Sequence, residues 1–276
     1  MNSKLLLCAA ALLAIAGAAK AQLADEFKVP PAPCCLPRAA SSLAAQLQDW
    51  NQLARYQSAN AELKKQLFDP KRVVFMGDSI TDAWPLAEYF PGKPYVNRGI
   101  SGQTTSQMLV RMYPDVIALK PGAMVVLAAT NDVAQNTGPM TAEMIEDNIM
   151  AMTELAQSHG IKVLLCSITP ISDYPFLAQQ SGQDAAAAPA GGRGRGPAPR
   201  QQMTLGRPPA DIVKLNVWMK AYAARVNAVY VDYYAAMVDQ KGWLRDGISN
   251  DGLHPTADGY KIMAPIVEAS IERALR

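Results

Sequence analysis

Histidine is the scarcest functional residue in this 276-residue chain, which has two, His159 and His254. Two histidines so far apart exclude a histidine-built metal centre. Any proton transfer through an imidazole must use one of them. No P-loop and no dinucleotide fingerprint occurs, so no cofactor is expected. The formal charge is only +2, which argues against a dedicated nucleic-acid binder. Cysteine is also sparse, at four. Cys8 lies in an N-terminal apolar run. Cys34 and Cys35 are adjacent, so they join each other only under strain or pair with a partner molecule. Cys166 sits within Val163-Leu164-Leu165 and reads as a buried free thiol. An odd remainder gives no disulfide framework. After the N-terminal run no segment is apolar and long enough to span a bilayer, so no stable membrane insertion is expected.

That run has the layout of a secretory signal. Lys4 supplies the basic start, Leu5–Ala18 the apolar stretch, and Ala19-Lys20-Ala21 a small-x-small cleavage site. Residues 1–21 are therefore expected to be removed and the protein to be periplasmic or extracellular. Cys34 is too far from this cleavage site to be a lipoprotein cysteine. Residues 22–37 are Pro-rich and irregular. Leu43, Leu47, Trp50 and Leu53 recur at helical spacing, predicting one amphipathic helix over 39–66 with Trp50 and Tyr56 as packing residues.

From residue 67 to 276 the pattern is that of one domain, alternating apolar strands with helices. The strands are expected at 72–76, 94–97, 123–128, 161–167 and 228–232. Helices are expected near 104–119, 141–158, 211–227 and 256–273. Alternation of this kind predicts an α/β fold: a three-layer α/β/α sandwich around a parallel sheet of about five strands, with all strand C-termini on one edge. Residues 179–209 break the pattern. They are rich in Gly, Pro and Ala and read as an inserted low-complexity segment, either a disordered loop or a lid. Arg193, Arg195, Arg200 and Arg207 make it basic, which suits a solvated loop or contact with an anionic glycan.

Four blocks on this frame carry chemistry. Val73-Val74-Phe75-Met76 ends in Gly77-Asp78-Ser79, a buried strand that presents a hydroxyl at a small turn. A serine needs a base to act as a nucleophile. His159 ends a helix, where a histidine suits the dipole and needs no further role. His254 lies in Asp251-Gly252-Leu253-His254-Pro255, where one short loop holds an imidazole and a carboxylate three residues before it. Such a carboxylate orients the ring and stabilises the imidazolium; the pair could equally be capping groups of a turn. Between serine and histidine lie Asn97-Arg98-Gly99-Ile100-Ser101-Gly102 and Ala128-Ala129-Thr130-Asn131-Asp132, each after a strand. Gly102 can offer a bare backbone N–H and Asn131 a side-chain amide to a developing oxyanion. Both blocks also suit ordinary turns.

Together these blocks resemble the SGNH hydrolases, also called the GDSL lipase/esterase family. Gly77-Asp78-Ser79, Gly102, Asn131 and Asp251-Gly252-Leu253-His254 match its four blocks in order, over residues from about 70 to 274. Ile80-Thr81-Asp82 and Trp84 look most like the platelet-activating-factor acetylhydrolase-like branch. The resemblance implies a flavodoxin-like sheet. It also implies a serine esterase working through an acyl-enzyme, with Ser79, His254 and Asp251 as its catalytic residues. The oxyanion hole would be formed by the N–H groups of Ser79 and Gly102 and the Asn131 amide, with Asp78 and Asp132 in support. One position departs: the family has glycine where this chain has Ala129, which would cost on the order of 1 kcal/mol if that residue needs a positive φ. Short acyl groups on carbohydrate are the expected substrate, with Trp84, Tyr89 and Trp243 as candidate sugar-facing rings. A lysophospholipase or thioesterase, transfer to another acceptor, and a non-catalytic binding module on the same fold are the alternatives. The oligomeric state is left open.

Overall fold

Strand β1, Val73–Gly77, is buried along its whole length. Its side chains alternate between two cores, as the pleat requires. Val74 and Met76 enter one cluster, with Met108, Met124, Val126, Ile149, Val163 and Met219. Val73 and Phe75 enter the other, with Trp84, Val125, Leu164, Tyr260, Met263 and Val267. A strand buried on both faces explains the unbroken apolar runs.

The computed structural model describes residues 49–182 and 200–276, and all elements below belong to the unit Asn51–Arg276. The expected signal peptide, the Pro-rich segment, Cys34, Cys35, Arg193 and Arg195 lie outside the described residues. The remaining strands are β2 (Tyr95–Gly99), β3 (Ala123–Leu127), β4 (Lys162–Cys166) and β5 (Val229–Val231). They form one parallel sheet in the order β2-β1-β3-β4-β5, as the alternating pattern predicts. Helices Ala142–Ser158 and Pro209–Arg225 feed the first core and Ala257–Ala274 the second, giving three layers. Thr141 caps the first of these helices by accepting from the Met144 N–H. His159 ends it, with Nδ1 2.9 Å from Leu155 O. Cys166 is a free, fully buried thiol, pushed up to about 12 by burial.

Two expectations are corrected. The N-terminal helix is confined, among the described residues, to Gln57–Lys65. Gln52 takes φ 53°, a left-handed turn that no continuing helix permits. Trp50 and Leu53 are exposed, so these two positions do not mark a buried face; Leu43 and Leu47 lie outside the described residues. The low-complexity segment is shorter than expected. Tyr174–Gln180 and Met203–Gly206 are helical, and the next helix begins at Pro209.

The strand order matters for function. The chain runs from β1 out to β2 and then returns across β1 to β3. The strand order therefore reverses at β1 and β3, and the ends of such a pair leave a crevice open to ligands.

Candidate active site

Asp78 and Ser79 follow directly on β1. Asp78 is the N-cap of the short helix Ser79–Asp82 and accepts from Ile80 N at 3.0 Å. This turns the chain sharply and leaves the Ser79 N–H as the first, unbonded amide of a helix. Asp78 itself is 1% exposed, and its Oδ2 has no partner. Burial pushes its carboxyl up to about 6, against the Ile80 hydrogen bond and the nearby His254.

The loop before helix Ala257–Ala274 brings the other two groups. His254 Nε2 lies 2.8 Å from Ser79 Oγ, and His254 Nδ1 lies 2.6 Å from Asp251 Oδ2. Asp251 Oδ1 accepts from the backbone N–H of Leu253 at 2.9 Å and of His254 at 2.8 Å. The carboxylate is thus wrapped by its own loop. Burial works against its ionisation, but the hydrogen bonds from the His254 ring and the two amides outweigh it and hold the carboxyl well below the ordinary range. The Asp251 hydrogen bond in turn raises the basicity of His254, with burial opposing. Gly252 makes this loop fit. Its φ is +86°, and a Cβ there would lie 2.0 Å from Ser172 O. Its carbonyl accepts from Ser172 N at 2.8 Å, tying the loop to the segment that follows β4.

Asn131 lies in the turn after β3 and is 3% exposed. Its Nδ2 donates to Gln103 O at 3.0 Å, which leaves the second amide hydrogen uncommitted. Asp132 holds this turn from behind, accepting from Thr105 N at 3.0 Å and Thr105 Oγ1 at 2.5 Å. Ala129 precedes it with φ 82° and is fully buried. The left-handed conformation that glycine adopts without strain is therefore occupied here by alanine. Gly102, at φ +82°, has open space where a Cβ would stand.

The structure brings Ser79, His254 and Asp251 into one hydrogen-bonded chain, with Asp78 beneath it. It sets Asn131 against the Gly102–Gln103 loop. Of the rings expected to face a sugar, Trp84 is buried in the aromatic core, stacked on Tyr260 at 5.0 Å. Trp243 packs edge-on against Tyr174 at 5.1 Å. Tyr89 packs on Trp84 and Tyr260 and donates to Ala257 O at 3.0 Å.

Two arginines stood outside the sequence-based site. Arg207 donates from Nε to Thr130 O at 3.2 Å and from Nη2 to Asn131 Oδ1 at 3.4 Å. Arg111 is fully buried. It donates to Gln103 Oε1 at 2.6 Å, to Gly77 O at 3.1 Å and to Asp115 Oδ2 at 3.0 Å. It therefore links the strand under Ser79 to the loop that holds Asn131. A signal for it existed: Met108, Arg111, Met112 and Asp115 share one helical face, and the methionines mark that face as buried.

The sequence model of the GDSL-like lipase/acylhydrolase family matches residues 75–262, a span containing all the groups above. A solved structure from Bacteroides fragilis, assigned as an acylhydrolase, is 38% identical. The match covers 83% of this chain and 99% of that one, with TM-score 0.67. A GDSL-like lipase from Bacteroides thetaiotaomicron is 35% identical over 81% of this chain and 98% of its own, with TM-score 0.68. A structure from Streptococcus pneumoniae named for platelet-activating factor shares the fold at 22% identity and TM-score 0.59, covering 83% of this chain and 99% of that one. Among curated proteins, an uncharacterized lipoprotein from Bacillus subtilis is 29% identical over 118 residues, 36% of this chain and 49% of that protein. The match thus spans about half of that relative.

Proposed function

The chain belongs to the GDSL-like lipase/acylhydrolase family and is a hydrolase acting on ester bonds, and from that premise we propose that it works as a serine esterase through an acyl-enzyme on Ser79. The observation that carries this is the unbroken hydrogen-bonded chain Ser79–His254–Asp251, at 2.8 and 2.6 Å. His254 Nε2 takes the Ser79 proton as Oγ attacks the ester carbonyl. Asp251 keeps Nδ1 protonated and stabilises the imidazolium. The N–H groups of Ser79 and Gly102 and the free hydrogen of the Asn131 amide receive the oxyanion. His254 then protonates the leaving alkoxide, and water repeats the sequence on the acyl group. Asp78 and Asp132 touch no reacting atom; they hold the two turns.

The substrate we infer is a short acyl ester of a carbohydrate. A cavity of about 520 Å³ adjoins the catalytic loop, lined by Tyr174, Arg200, Asp246, Ser249 and Asn250 among others. Tyr174 and the apolar Pro175, Leu177 and Ala178 meet the polar groups there, a mixed lining suited to an acyl group carried on a polar sugar. Export is proposed as well, on the N-terminal signal pattern; the Bacillus subtilis relative is named a lipoprotein. No helix of the described residues is long and apolar enough to cross a membrane.

Labelling with a fluorophosphonate, followed by peptide mass analysis, tests the nucleophile. One adduct on the Ser79 peptide is expected, and labelling that persists undiminished in Ser79→Ala would refute the assignment. A panel of acetylated glycans, lysolipids and aryl esters tests the substrate, with the highest kcat/KM expected on an acetylated glycan.

A further inference from the structure

Arg207 lies at the end of the Gly/Pro-rich stretch but is not part of a loose loop. The helix Met203–Gly206 is anchored by Thr204, whose N–H donates to Asp173 Oδ1 at 3.0 Å and whose hydroxyl donates to Asp173 Oδ2 at 2.5 Å. Asp173 is 2% exposed. The Arg207 N–H closes that helix on Met203 O at 3.1 Å. Pro208 and Pro209 then fix the exit into the following helix. The side chain is thereby held over the turn after β3, half-buried, with Nη1 3.9 Å from Met203 Sδ.

We propose that Arg207 is a positioning residue for ester hydrolysis, fixing the Asn131 amide for the oxyanion. The proposal rests on the serine-esterase reading above. The amide of Asn131 has two ends of similar shape and opposite hydrogen-bonding sense. Gln103 O can only accept, so it selects Nδ2. The Arg207 guanidinium can only donate, so it selects Oδ1. Between them the amide has one orientation, and its remaining hydrogen points away from both. The guanidinium bond is long, at 3.4 Å, as catalytic contacts without substrate often are. Among the described residues no ion pair neutralises Arg207. Its charge therefore acts on its surroundings.

The charged groups that act on His254 are Asp251, hydrogen-bonded to it from its own loop, and, through space, Asp78 of the β1 turn and Arg207 of this helix end. The two carboxylates raise the basicity of the ring, and Arg207 lowers it. Arg200 donates to Asn250 O on the same loop. Losing the Arg207 charge therefore moves His254 upward.

The test uses the full-length protein and nitrophenyl acetate. Arg207→Met is expected to lower kcat about 10- to 100-fold, less than deleting an oxyanion donor outright, with KM changed less than about threefold. The acid limb of its kcat/KM profile should shift to higher pH. Arg207→Lys keeps the charge but not the fork, so its acid limb should stay with the wild type while kcat recovers in part. In an Asn131→Ala background, Arg207→Met should cost little further kcat, because Arg207 acts through that amide. A kcat for Arg207→Met within about twofold of wild type with an unmoved acid limb would overturn the proposal. So would an undiminished loss in the Asn131→Ala background. If Arg207→Met does not fold, Arg207→Gln, which also removes the charge, takes its place with the same expected loss of kcat and shift of the acid limb. Ser79→Ala run alongside separates the two readings: inactive Ser79→Ala with unaffected Arg207 variants refutes only this inference, whereas active Ser79→Ala refutes the esterase mechanism itself.

Discussion

Ser79 Oγ and His254 Nε2 stand 2.8 Å apart although 175 residues separate them in sequence. Ser79 is delivered by the end of strand β1, and His254 by the loop before the last helix. The contact therefore exists only when the whole sheet is assembled. Asp251 completes the chain from the same loop as His254. Replacing Asp251 with Asn should leave the fold intact and lower kcat by on the order of 10²–10⁴-fold, because the ring loses its orienting acceptor. The pH profile adds a sign. The Asp251 bond is the main cause raising His254, so the acid limb of kcat/KM should move to lower pH in Asp251→Asn. Steady-state kinetics between about pH 5 and 9 measure both effects.

Ala129 tests how much strain the turn after β3 tolerates. At φ 82° an alanine costs roughly 1–2 kcal/mol. Glycine removes that strain but adds about 0.5–1 kcal/mol of unfolded-state entropy and loses a buried methyl worth about 0.8 kcal/mol. Ala129→Gly should therefore unfold within about 1 kcal/mol of the wild type, with equal or higher turnover. Ala129→Val places a branched side chain in the same left-handed, fully buried position and should destabilise by more than about 2 kcal/mol. Urea midpoints check both.

Much of this was legible from residue types. The runs Val73–Met76 and Met124–Leu127 are apolar at every position because β1 and β3 are buried on both faces, so the strands and their parallel order could be expected. The sharp polar endings of those strands pointed to the groups now found at the crevice. Arg207 was not legible in the same way. It follows a Gly, Pro and Ala tract, and its anchor, Asp173–Thr204, is a contact between segments that flank that tract. The helix expected over 39–66 erred in the other direction. Periodicity alone cannot report that Gln52 turns left-handed.

Asp78 makes a prediction about pH and stability. Burial raises its folded-state pKa to about 6, above the ordinary carboxylate value. Its favourable contribution is then present at acid pH and lost as pH rises through about 6. Asp78→Asn keeps the oxygen that caps Ile80 and removes the buried charge. The variant should therefore gain on the wild type by about 1.4 kcal/mol between about pH 5 and pH 8. Paired denaturation curves at the two pH values measure this gain.

Gly252 sets the position of the loop that carries Asp251 and His254. Gly252→Ala meets both a φ of +86° and Ser172 O at 2.0 Å, so the loop must move. A displacement near 1 Å is enough to cost about 10²-fold in kcat. Kinetics on nitrophenyl acetate, with circular dichroism to confirm folding, check this outcome.

The central claim is that Ser79 is the nucleophile, and the most direct measurement is nitrophenyl acetate hydrolysis by wild type and Ser79→Ala at the same protein concentration. The account predicts that Ser79→Ala loses on the order of 10⁴-fold or more in kcat and approaches the buffer blank. Equal rates for the two proteins would contradict it.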